Sequence, residues 1–73
     1  MKQIKKFASA FNAKTHQGTI VLAFDESGAD KIVLSNLAPE LFNAYLSILE
    51  KTPVYMDSNG WIRTDYEIAI DLQ

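Results

Sequence analysis

The stretch "LAPELFNAYLSILEK" over 37–51 constrains this chain more than any other. Leu37, Leu41, Tyr45, Ile48 and Leu49 recur at three- and four-residue spacing, and Phe42 and Leu46 widen the stripe. At about 100° per residue these side chains cover close to half of a helix surface. Glu40, Asn43, Ser47 and Glu50 fall on the opposite side. Pro39 suits the first turn, where a missing N–H costs nothing, and Ser35 or Asn36 is in reach to cap the first amides. Lys51 lies near the negative helix end, and Pro53 biases Thr52 away from helix. An apolar half-cylinder must lie on a second layer. It is also broader than a minimal sheet needs, so part of it is expected to face another subunit.

The sheet that receives this helix is read from period-two segments. In "WIRTDYEIAIDL" (61–72), Ile62, Thr64, Tyr66, Ile68, Ile70 and Leu72 form a mostly apolar set, and the alternate residues are mostly charged. That pattern predicts a strand with one covered and one wet face. Asn59-Gly60 marks a turn, because both residues tolerate positive φ. It predicts a hairpin between "VYM" (54–56) and the terminal strand. Upstream, "TIVLAFD" (19–25) and "KIVLS" (31–35) read as two strands joined through "ESGA". Ile20, Leu22 and Phe24 face one way and Val21 and Ala23 the other. With both faces apolar, this strand is central or has a partly covered outer face.

Residues 4–12 fit two periods. Ile4, Phe7, Ala8 and Phe11 suit a helical face; Phe7, Ser9, Phe11 and Ala13 suit a strand face. A strand, turning through "KTHQG" into 19–25, gives the sheet an immediate antiparallel neighbour. The expectation is one α+β domain over 1–73: a two-layer, mainly antiparallel three- or four-stranded sheet with one packed helix, in the order β-β-β-α-β.

Size then bears on function. A chain of 73 residues hides only roughly 60% of its unfolded surface on folding, so its core is small. It has no cysteine and one histidine, which excludes disulfide staples, thiolate chemistry and cysteine-based zinc sites. Packing must supply the stability, with help from a second subunit where that forms. No apolar run reaches the roughly 20 residues of a membrane span. Ser9 and Asn12 interrupt the short apolar part of "MKQIKKFASAFNAKTH", which argues against a signal peptide, and cytoplasmic residence is the default expectation.

Charge is uneven within a net of −2. Residues 1–20 hold Lys2, Lys5, Lys6 and Lys14 and no acid, whereas 21–73 hold three cations against nine acids. Complementarity between neighbouring strands is the simpler reading, and orientation of a partner is the other. With Phe7 and Phe11 nearby, the four lysines also make a basic and aromatic candidate patch for single-stranded nucleic acid. The overall acidity argues against general phosphate binding, and Phe7 and Phe11 are expected in the core.

Catalysis finds little support. His16, on an expected loop, has no accompanying nucleophile and orienting acid. Asp65, Glu67 and Asp71 share one strand face, and Asp25, Glu26 and Asp30, like Asp57 and Asn59, surround turns. A metal-binding alternative rests on these acids, although none matches the calcium-loop spacing. Solvated or paired charge explains them more simply. Gly18, Gly28 and Gly60 are isolated and form no phosphate loop. No cofactor is expected.

The chain is therefore read as a non-catalytic protein-interaction module, homodimeric or bound to a larger protein. Trp61, Tyr55, Tyr45, Arg63 and Leu46 are the interface candidates. Large aromatics concentrate interface energy, and the competing role for Trp61 is to close one end of the core.

Overall fold

The computed structural model describes residues 1–64. The terminal alternation beyond Thr64, with Asp65, Glu67 and Asp71, lies outside the described residues. The elements are β1 (Lys2–Ile4), β2 (Lys6–Asn12), β3 (Gln17–Ala23), β4 (Lys31–Leu37), α1 (Pro39–Leu49), β5 (Val54–Met56) and β6 (Ile62–Arg63). The α+β class and the β-β-β-α-β order hold, and every strand pair is antiparallel. The ambiguous segment is extended, as β1 and β2. The hairpin through Asn59-Gly60 also forms, pairing Met56 with Ile62 and Tyr55 with Arg63.

Among the described residues the strands divide into two three-stranded sheets, ordered β1-β5-β6 and β2-β3-β4. One extended run joins them, because only Lys5 separates β1 from β2. The Lys5 amide still donates to the Ala23 carbonyl at 2.8 Å, so the backbone enters the second sheet as it leaves the first. Both sheets and the helix feed a common core of Ile4, Ile20, Leu22, Leu37, Phe42, Leu49 and Val54.

Strand β3 is central, and its period places Gly18, Ile20 and Leu22 beneath the helix. At Gly18 an added Cβ would overlap the Phe42 ring, so the helix rests directly on backbone there. Opposite Gly18 in the ladder stands Phe11, whose ring lies 5.4 Å from that of Phe42.

Strand β4 departs from a regular ladder. Gly18 pairs with Leu37 and Ile20 with Leu34, so Ser35 and Asn36 both stand opposite Thr19. The bulge turns Leu37 onto the inner face beside Leu34, and Asn36 accepts a φ of 56°. It also corrects two expectations. Leu37 ends a strand instead of opening the helix, and neither Ser35 nor Asn36 caps α1. The N-cap is Ala38, with no side-chain cap and Pro39 directly after it.

A further correction concerns β2. Phe7 and Phe11 do not enter the core: they are 36% and 44% exposed, and all seven residues of the strand are exposed. The helix covers β3, the middle of the sheet, and leaves this edge uncovered. Among the described residues no helix is long and apolar enough to cross a membrane.

Candidate protein-interaction surface

Trp61 is held by a turn that Asp57 organises. One oxygen of the Asp57 carboxylate accepts the Asn59 and Trp61 amides at 2.9 and 3.0 Å. Its other oxygen accepts from the Arg63 guanidinium at 3.4 Å. The backbone closes the same turn, with Gly60 donating to the Asp57 carbonyl and the Asp57 amide donating to the Trp61 carbonyl, both at 3.1 Å. Partial desolvation raises the Asp57 carboxyl, but these amides and the Arg63 charge outweigh it and hold the group below the usual aspartate range. Gly60 supplies the positive φ of 89° that the turn requires.

Because β6 starts at Ile62, strand alternation does not govern Trp61. The indole lies instead beside α1, in a groove of about 300 Å³ lined by Leu41, Ala44, Tyr45, Ile48, Gly60, Trp61 and Ile62. Trp61 and Leu41 are 46% and 49% exposed, so two apolar walls of this groove remain wet. Part of the apolar helix stripe, Leu41 above all, thus stays outside the core.

The five sequence-derived interface candidates separate into different places. Trp61 and Tyr45 share the groove. Leu46 is half-buried and packs against the core. Tyr55 and Arg63 are cross-strand neighbours, and Arg63 is drawn to Asp57. Sequence reasoning passed over Leu41 as a surface residue and Asp57 as the residue that fixes Trp61. The "DSNG" stretch carried the second signal, because Asp side chains accept amides two residues onward in turns.

Of the four lysines, Lys2, Lys5 and Lys6 have separate partners, and Lys14 stands apart from the other three. Lys2 pairs with Asp30 at 3.0 Å and lies 5.4 Å from the Phe24 ring centre. Lys5 donates to Gln3, and Lys6 donates to the Glu26 carbonyl at 2.6 Å. Lys14 sits on the turn at the far end of β2, roughly 20 Å of strand away from Lys6 at about 3.4 Å per residue. The Lys2–Asp30 pair lies in a cleft of about 390 Å³ that also includes Phe24, Ile32 and Met56.

Of the acids at the β3–β4 turn, Asp25 holds the turn itself. Asp25 accepts from the Ser27 hydroxyl and the Gly28 and Ala29 amides through one oxygen, and from the Asp30 amide through the other. Desolvation raises its carboxyl, and these four donors together lower it below the ordinary value. Among the described residues no three His, Asp or Glu side chains gather as a metal-ligand group. His16 occupies the β2–β3 turn at φ 58°, with its amide donating to the Asn12 carbonyl at 2.8 Å. Comparison with family models, curated proteins and solved structures finds no match to this chain.

Proposed function

We propose that this chain is a small non-catalytic protein-interaction module, acting as a homodimer or seated on a larger protein. One observation carries the reading. Among the described residues, seven large hydrophobic side chains are exposed against eight buried hydrophobic residues. Single exposed apolar residues are ordinary, but four of the seven share a face in pairs: Phe7 with Phe11 on β2, and Leu41 with Trp61 at the groove. Trp61 has the area and the indole N–H that suit an anchor residue, and Asp57 pre-sets its backbone so that little ordering remains to be done on binding. Cytoplasmic residence belongs to the same proposal and is checked by cell fractionation.

The test is affinity capture from native cell extract with the wild-type chain and with Trp61→Ala, beside sedimentation of each. Loss of the Trp61 anchor is expected to weaken capture of the partner by at least about tenfold. Equal capture by both chains would reject Trp61 as the anchor. A chain that captures nothing and sediments as a monomer would reject the module itself.

A further inference from the structure

We propose that two copies of this chain join through β2, antiparallel, with Ser9 on the twofold axis. The inference rests on the interaction-module reading and names a second copy as the occupant of one surface. Its basis is a coincidence of sequence and topology. Residues 7–11 read "FASAF", the same in both directions about Ser9. The structure lays that palindrome along a strand whose seven residues are all exposed and which, among the described residues, stands at the edge of its sheet with β3 as its one neighbour.

A twofold interface must be self-complementary, each residue meeting its counterpart reciprocally. Antiparallel pairing about Ser9 meets that demand. Phe7 faces the partner's Phe11, Ala8 faces the partner's Ala10, and Ser9 faces the partner's Ser9. Lys6 faces the partner's Asn12, so no like charges stand directly opposite. The paired phenylalanines fall on the helix side of the sheet, because Phe7 and Phe11 lie across from Leu22 and Gly18. Phe11 already touches the Phe42 ring, so the new aromatic cluster continues the existing core instead of starting a separate one. On the other face the small Ala8 and Ala10 allow two backbones to meet without obstruction.

The two edges of the β2-β3-β4 sheet differ in the direction this inference requires. Proteins blunt exposed edges with bulges, proline and inward charge. Edge β4 carries the Ser35–Asn36 bulge, whereas β2 keeps regular register with β3 from Lys6 to Asn12. It has no proline, and its one charged residue is at its end. Joined through β2, the two sheets become one of six strands with the bulged edges outermost. Lys5 and Lys6 of one copy then lie near the other copy's Lys14 end, so screening by salt is expected to tighten the dimer.

Sedimentation across micromolar to millimolar concentration, with circular dichroism as a check of folding, tests the inference on three chains. The wild type is expected to dimerise more tightly as salt rises. Ser9→Lys sets two like charges on the axis at an exposed position and is expected to weaken the dimer by at least about tenfold while folding is retained. The chain has no cysteine, so Ser9→Cys places one thiol beside its own symmetry mate. Mild oxidation should link that variant faster than Val33→Cys, which carries its thiol on exposed β4. A wild type that stays monomeric throughout overturns the inference, while capture through Trp61 can still uphold the module. A dimer unmoved by Ser9→Lys, or linked as fast at position 33 as at position 9, overturns β2 as the seam and leaves dimerisation standing.

Discussion

Strands β2 and β3 have seven residues each and pair position for position from Lys6–Ala23 to Asn12–Gln17. Yet β3 buries Gly18, Ile20, Leu22 and Ala23, and β2 buries nothing. Their inner faces are both apolar: Phe7 and Phe11 on one, Ile20 and Leu22 on the other. What separates them is coverage. Helix α1, roughly 16 Å long at 1.5 Å per residue, lies over β3 and leaves the edge beside it wet. Position in the sheet, more than side-chain character, decides which of two adjacent strands is core.

The strongest way to break this comparison is a matched pair of truncations. Leu22→Ala is expected to cost about 3 kcal/mol, the loss of a fully buried leucine plus the cavity it leaves. Phe7→Ala should cost only about 1–2 kcal/mol when the chain is dilute enough to be monomeric, since the ring is already partly hydrated and leaves no closed cavity. Urea unfolding at low protein concentration reads both, and equal losses would erase the distinction between edge and centre. Repeating Phe7→Ala at high concentration sharpens it, because a larger loss there locates the missing cover in a second copy.

Gly18→Ala comes next, at about 2 kcal/mol, because the added methyl displaces Phe42 and overpacks the point where β3 touches the helix. A double variant with Phe42→Leu should recover part of that loss, which a double-mutant cycle measures. Simple addition of the two effects would mean that the helix does not rest on Gly18.

The turns on either side of β3 offer a comparison by pH. The β2–β3 turn is held by the Asn12 amide oxygen, which accepts the Lys14 and Thr15 amides and does not titrate. The β3–β4 turn is held by the Asp25 carboxylate, whose pKa is lowered in the fold. A depressed carboxyl gives its full stabilisation above the unfolded value near 3.9 and loses it as pH falls through the folded value. Acid should therefore loosen Gly28 and Ala29 before Lys14 and Thr15, as hydrogen exchange would record, and Asp25→Asn should abolish the difference. The smallest effect is expected from His16→Gly. Relief of the left-handed backbone, about 1 kcal/mol, is partly offset by the freer unfolded chain, leaving a rise of a degree or so in melting temperature.

Much of this architecture was legible in residue order. The stripe from Leu41 to Leu49 with Pro39 ahead of it specified α1, and Asn59-Gly60 specified the β5–β6 hairpin. The "ESGA" turn and its flanking apolar runs specified β3 and β4. These are local matters, settled by periodicity and by residues that tolerate particular backbone angles. The candidate surface was less legible. Trp61 was marked by its size, but its neighbours Leu41 and Ala44 lie some twenty residues earlier and meet it only through the fold.

The sequence by itself determined which side chains share a face, since that follows from a period of two or 3.6 and nothing else. Only the tertiary structure decided which faces are covered. It withheld Phe7 and Phe11 from the core, used Asn36 for a bulge instead of a cap, and divided one expected sheet into two at Lys5. Each of these depends on where a distant element comes to rest, and a helix seated over the central strand leaves apolar face at the edge for something else to cover.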